Sequence, residues 1–83
     1  MLSASEVREY ILQGLPCEHV EVRGDDGQHF EALIVSAQFV GKSMVQQHQL
    51  VYQALGSRMQ QEIHALSMRT FTPDAWVRAG HEF

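Results

Sequence analysis

The segment from Ile63 to Trp76 constrains the fold more than any other part of the chain, because it predicts a strand that runs directly into a capped helix. The residues from Ile63 to Phe71 are mostly apolar or β-forming and include no Gly or Pro, which indicates a buried strand. Thr72 then supplies a helix N-cap, and Pro73 occupies the favoured first helical position. We therefore expect His64 to be held at the start of a strand.

Length and charge limit the class of protein. A chain of 83 residues predicts one domain over 1–83, with its core over about 3–79 and a frayed terminus over 80–83. The net charge of −4 gives no global attraction to nucleic acid, and the basic residues are scattered along the sequence. The single cysteine, Cys17, excludes an internal disulfide and favours a reducing compartment, so we expect a cytoplasmic protein. The sequence has no membrane-spanning run and no signal-peptide pattern.

Two capping boxes mark the starts of helices. The first begins at Ser3, and the apolar spacing after it predicts a helix to about Gln13. The second begins at Ser43 and predicts a helix that ends near Gly56. A short helical turn over 57–61 follows before the third strand.

A β-hairpin lies between these helices. Alternating residues over 20–23 predict a strand that is wet on one face, and Gly24–Gly27 predict a turn. The run over 30–36 is apolar on both faces, so we expect it to be the more central strand. The crossover between the second and third strands is long enough for a parallel return, so we expect the third strand to lie parallel to the second. Leu66 and Met68 would lie on one side of the third strand, and Ile63 and Ala65 on the other.

The predicted fold is α/β, with the order α-β-β-α-(α)-β-α, a three-stranded mixed sheet and helices packed on one face. If the second and third strands are parallel neighbours, their first residues meet at one edge of the sheet. His29 and His64 would then lie together, and neutral imidazole is a common ligand for iron and zinc. Two ligands do not close a metal site, so a partner would have to supply the others. The alternative is that His64 is a hydrogen-bonded strand-end residue and His29 a solvated loop residue.

The remaining residues point away from catalysis. Cys17 has no second cysteine nearby and is interpreted as a small, semi-buried apolar residue. The sequence has no Ser-His-Asp order, no phosphate-binding loop and no clustered pair of carboxylates. We therefore expect a protein that is not an enzyme.

Three ordered motifs resemble the BolA family. They are Phe39-Val40-Gly41-Lys42-Ser43 before the second helix, Gln47-His48-Gln49-Leu50-Val51-Tyr52 within it, and Ile63-His64-Ala65-Leu66-Ser67 leading to Thr72-Pro73-Asp74-Ala75-Trp76. The resemblance covers about residues 3–79, and the short hairpin loop is most similar to the bacterial IbaG branch.

The resemblance implies a fold related to the class II KH domain and a role as partner of a monothiol glutaredoxin. Such pairs share a [2Fe–2S] cluster: the glutaredoxin cysteine and its glutathione bind one side, and the BolA protein supplies a histidine at the third strand and a ligand from the hairpin loop. The histidine maps onto His64. In the loop, relatives often carry Cys or His where this chain has Asp25, Asp26 and Gly27, so His29 is the nearest substitute.

Two functions therefore stay open. The first is a non-enzymatic adaptor that shares, transfers or senses a cluster with a glutaredoxin in iron homeostasis or stress, and that is a monomer or weak homodimer with no cofactor when alone. The second is a nucleic-acid-binding regulator that uses the KH-like sheet. Gln47 and Gln49 replace the basic pair found in many relatives, and the Gly-x-x-Gly loop of KH domains is absent, so nucleic acid is the less expected partner.

Overall fold

The computed structural model describes residues 2–61, 63 and 65–80, with the backbone alone for 60 and 61. The frayed terminus predicted for 80–83 falls outside this description, apart from Gly80. The elements occur in the predicted order, with a 3-10 helix added in the connector. They are α1 (Ala4–Gly14), β1 (His19–Arg23), β2 (His29–Val35), the 3-10 helix (Ala37–Phe39), α2 (Met44–Leu55), α3 (Arg58–Gln61), β3 (Ala65–Phe71) and α4 (Pro73–Arg78).

The three strands form one mixed sheet in the order β1-β2-β3. β1 is antiparallel to β2, with His19 opposite Val35 and Arg23 opposite Glu31. β2 is parallel to β3, and their ladder begins where His29 lies opposite Ala65. The central place of β2 and the parallel return of β3 are therefore confirmed.

The third strand is not buried, although its apolar sequence predicted that it would be. β3 is an edge strand, so its exposed residues alternate with half-buried ones along most of its length. Ile63 precedes the strand and is buried in the core against which Leu66 and Met68 pack, whereas the sequence alternation predicts that it lies on the opposite side. The reason is that the Ile63 amide donates to the Arg58 carbonyl, which ends α3 before the strand pairing starts.

Both predicted capping boxes form. The Ser3 hydroxyl accepts from the Glu6 amide and the Glu6 side chain accepts from the Ser3 amide; Ser43 and Gln46 repeat the arrangement at the start of α2. The two helices pack against one face of the sheet. Within the described ranges, no helix is both long and apolar enough to cross a membrane. The shared core is formed by Val7, Ile11, Leu15, Val20, Phe30, Ala32, Ile34, Phe39, Val51, Leu55 and Ile63.

The opposite face of the sheet is covered in part by α4. Strand residues alternate between faces, so His19 lies on the face opposite Val20. The Trp76 ring stacks on His19, with ring centroids 5.2 Å apart, and lies 5.6 Å from the Phe71 ring. We predicted the helices on one face; this holds for α1 and α2, but α4 follows the edge strand almost directly and carries its indole to the other side. Leu33, which also lies on that side of β2, is fully buried.

Gly14 provides a test of how closely α1 and α2 pack. A Cβ at this residue would lie 2.7 Å from the Ala54 Cα and 2.8 Å from the Ala54 carbonyl oxygen. Gly-to-Ala changes in a helix normally stabilise it by about 0.5–1 kcal/mol, but here the methyl group would force two backbones apart. We expect Gly14→Ala to lower the free energy of unfolding by about 1–3 kcal/mol in urea titrations.

The matched control is Gln13→Ala, an exposed change on the preceding residue of the same helix. Its effect on the free energy of unfolding should stay within about 0.5 kcal/mol. If Gly14→Ala were as stable as the wild-type chain or more stable, the close contact between the two helices would be contradicted.

Candidate functional site

The hairpin loop lies tightly against the start of β2. A Cβ at Gly24 would lie 2.6 Å from Cδ1 of Phe30 and 2.7 Å from the His29 carbonyl oxygen. Gly27, further along the loop, has a φ of 75°, which favours glycine. The two glycines therefore let the backbone turn closely over the residue that begins the strand.

One carboxylate organises this loop. Oδ1 of Asp26 accepts the backbone N–H groups of Gln28 and His29, each at 2.9 Å. Oδ2 of the same residue lies 2.8 Å from Nδ1 of the His29 ring. The backbone N–H groups of His29 and Gln28, followed by the His29 ring, hold the pKa of Asp26 well below its ordinary range. The loop backbone and the imidazole are thus both attached to a single ionised group.

The imidazole of His29 is accessible from solvent, because 68% of its side chain is exposed. It lies at an open cleft of about 570 Å³ at the edge of the sheet. Across the parallel ladder its partner is Ala65, whose amide donates to the Gln28 carbonyl at 3.0 Å. The residues that line the cleft are Arg23, Gly24, Asp25, Asp26, His29, Phe30, Glu31, Ala65 and Ser67.

His64 lies outside the described residues, so its distance from His29 stays a prediction. The structure does place its neighbours in the sequence: Ile63 is in the core, and Ala65 pairs with His29. Among the described residues, no group of three or more His, Cys, Asp or Glu side chains could hold a metal ion. A metal site that uses His29 therefore requires ligands from beyond this set.

Sequence reasoning missed the role of Asp26 in the loop. The sequence pattern predicts only a turn at Asp25 and Asp26, and it does not predict the contact between Asp26 and His29. The signal that could have found it is local: Asp accepts backbone N–H groups two and three residues ahead, as in Asx turns, and His29 is the third residue after Asp26.

Cys17 is far from the cleft, and its thiol is unreactive at neutral pH. It precedes β1 at the end where His19 pairs with Val35, whereas His29 lies beyond the opposite end of that strand. Its Sγ donates to the Leu15 carbonyl at 3.1 Å. Burial, together with the nearby charge of Glu18, raises the pKa of the thiol to about 11. This agrees with the interpretation of Cys17 as a small apolar residue.

Comparison with known proteins identifies the family. A family profile described as "BolA-like protein" matches residues 15–75. The chain is 40% identical over 85 residues to mouse "BolA-like protein 2", which covers 98% of each chain. It is 35% identical over 75 residues to "Acid stress protein IbaG" of Escherichia coli K12, which covers 89% of this chain and 88% of that protein.

A third relative is named for binding DNA. The chain is 43% identical over 58 residues to the "DNA-binding transcriptional regulator BolA" of Haemophilus influenzae, which covers 70% of this chain and 55% of that protein. Among solved structures, a bolA homologue from Coxiella burnetii superposes with a TM-score of 0.82 at 41% identity, which covers 94% of this chain and 100% of the other. The predicted fold is therefore confirmed.

The raised pKa of Cys17 can be tested by alkylation. We expect iodoacetamide to modify this thiol on the order of 100-fold more slowly at pH 7.5 than it modifies free glutathione, because the thiolate is the nucleophile. The rate should rise with pH and level off only above the pKa of about 11. Mass spectrometry of the intact protein over time measures it, and modification as fast as that of glutathione would contradict the buried environment.

Proposed function

We propose, because this chain belongs to the BolA-like protein family, that it acts in the cytoplasm as a non-enzymatic partner of a monothiol glutaredoxin. In this proposal His64 and His29 co-ligate a [2Fe–2S] cluster with the glutaredoxin cysteine and its glutathione. The protein would then transfer or sense the cluster in iron homeostasis or in the response to stress, the role that the family resemblance implies.

One observation carries the proposal. The parallel pairing of β2 with β3 puts His29 directly across the ladder from Ala65, the residue that follows His64 in the sequence. Residues joined in this way are about 5 Å apart between strands. The proposal therefore puts both imidazoles, which are 35 positions apart in the sequence, at the start of these two strands, where a partner can reach the exposed ring of His29.

The chemistry of the donor set fits a shared cluster. Imidazole can replace thiolate on one iron of a [2Fe–2S] centre, which raises the reduction potential relative to all-cysteine ligation. The thiol of Cys17 is at the far end of the hairpin and hydrogen-bonded to a carbonyl, so it is a poor candidate for a ligand here. A chain that offers two nitrogen ligands leaves two positions for sulfur ligands from a partner.

The distribution of charge argues against the nucleic-acid alternative, although one relative is named for DNA binding. The six basic residues lie on different parts of the fold: Arg8 on α1, Arg23 on β1, Lys42 before α2, Arg58 on α3, Arg69 on β3 and Arg78 on α4. Gln47, where many relatives have a basic residue, has a structural role in this chain. Its side chain donates to the Lys42 carbonyl and accepts from the Thr70 hydroxyl.

The ligand assignment is tested by mixing the chain with a monothiol glutaredoxin, glutathione, ferrous iron and sulfide, and recording visible absorbance and circular dichroism. We expect His64→Ala and His29→Ala each to change the absorption bands and to shorten the lifetime of the cluster by about tenfold or more. The reason is that losing only the hydrogen-bond partner of a ligand already lowers metal affinity by about 10–100-fold. The matched control is His19→Ala, which removes an imidazole at the other end of the hairpin.

The outcomes separate three cases. A shorter cluster lifetime in both variants but not in the control supports the two-histidine site. A shorter cluster lifetime in His64→Ala alone indicates that His29 is an ordinary loop residue. Wild-type spectra and lifetimes in both variants would overturn the proposed ligand set.

A separate prediction concerns binding to DNA. At physiological salt we expect the Kd for a fluorescent duplex, measured by anisotropy, to be weaker than about 1 μM, because the net charge of −4 gives no global attraction to phosphate. Gln49→Arg, on the exposed surface of α2, should tighten binding slightly and without regard to sequence. Sequence-specific binding by the wild-type chain below 1 μM would instead favour the regulator.

A further inference from the structure

The contact between Asp26 and His29 fixes more than the position of the loop. Both carboxylate oxygens of Asp26 are used: Oδ1 accepts two backbone N–H groups, and Oδ2 faces Nδ1 of the ring at 2.8 Å. The two backbone bonds restrain the carboxylate, so turning Oδ2 away from the ring would distort them. The orientation of the imidazole therefore follows from the backbone of its own loop.

This geometry also determines where the ring carries its proton. An ionised carboxylate only accepts hydrogen bonds, and a neutral imidazole has one N–H group. At 2.8 Å the hydrogen must lie on Nδ1, because two lone pairs would otherwise face each other. Nε2 is then left with a free lone pair on a ring that is 68% exposed.

We infer that Asp26 is a positioning residue, which holds His29 in the Nδ1–H form so that Nε2 is the atom that binds iron. This inference rests on the proposed function, since it requires His29 to be a ligand. Carboxylates behind metal-bound histidines set the tautomer and the ring orientation and make the ligand nitrogen more basic. Asp26 would give an exposed loop histidine the fixed direction that a solvated side chain lacks.

The neighbouring acidic residue provides a matched control. Asp25 lines the same cleft and carries the same charge, but the ring and amide contacts described above all belong to Asp26. Asp25→Asn and Asp26→Asn therefore remove one negative charge each from adjacent positions. A general effect of loop charge would appear in both variants, whereas an effect of ring positioning would appear in Asp26→Asn alone.

Asp26→Asn should reverse the tautomer rather than merely release the ring. The backbone N–H groups of Gln28 and His29 still need an oxygen, which the amide can offer in place of Oδ1. Its NH₂ group then faces Nδ1 and donates to it, so the ring proton moves to Nε2. Long-range ¹H–¹⁵N correlation spectra of the isolated chain at pH 8 report this directly. We expect Nδ1–H in the wild-type chain and in Asp25→Asn, and Nε2–H in Asp26→Asn.

The same variants are then reconstituted with a monothiol glutaredoxin, glutathione, ferrous iron and sulfide. We expect Asp26→Asn to shorten the lifetime of the cluster by 10–100-fold, and Asp25→Asn to change it by less than about twofold. His29→Ala serves as the reference for complete loss of this ligand. A shorter lifetime in Asp26→Asn together with the reversed tautomer supports the inference.

Failure of the inference is distinguishable from failure of the proposed function. An Nε2–H ring in the wild-type chain, or an unchanged ring in Asp26→Asn, overturns the inference and leaves the glutaredoxin proposal standing. The inference is also overturned, and the glutaredoxin proposal kept, if the cluster lifetime is that of the wild type in Asp26→Asn but shorter in His29→Ala. If His29→Ala itself keeps the wild-type lifetime, His29 is not a ligand, and both the two-histidine site and the inference are overturned.

Discussion

The parallel pairing of β2 with β3 is the constraint on which the rest of the structure depends. Both ends of this ladder are held by backbone hydrogen bonds: the Ala65 amide donates to the Gln28 carbonyl, and the Ser36 amide donates to the Phe71 carbonyl. A parallel return needs a long crossover, which α2 and α3 supply. Within this crossover, α2 packs with α1 on one face of the sheet. The pairing therefore creates the core and, at the same time, brings the starts of β2 and β3 to one edge.

Elements defined by short-range patterns could be predicted from the sequence. Ser3 and Ser43 begin helices because their capping partners are three residues away, and the hairpin follows from strand alternation around Gly24 and Gly27. The parallel placement of β3 could also be predicted, because the connection leaves few alternatives. In each case the information lies within the element or in the length of a connection.

Features that depend on distant partners could not be predicted in the same way. The composition of β3 suits a buried strand, and only the absence of a fourth strand beside it in the described sheet makes it an edge. The side of the sheet that Trp76 covers depends on His19, which is far away in the sequence. Asp26 is the exception, since its contact with His29 lies only three residues away in the sequence. The sequence pattern does not single out this contact, because Asp is common in turns for other reasons.

If His29 is a ligand, as proposed, the structure of the loop would prepare it for a partner before the complex forms. Free side chains on a hairpin loop lose conformational freedom when a complex forms, and this loss weakens binding. Here the close fit of Gly24 against Phe30 restricts the loop, and the hydrogen bonds of Asp26 to two amides and one ring restrict the side chain. Much of the ordering cost is thus met when the chain folds. The proposed site would gain from such preorganisation, because a chain that offers only two ligands needs a second protein to complete the site.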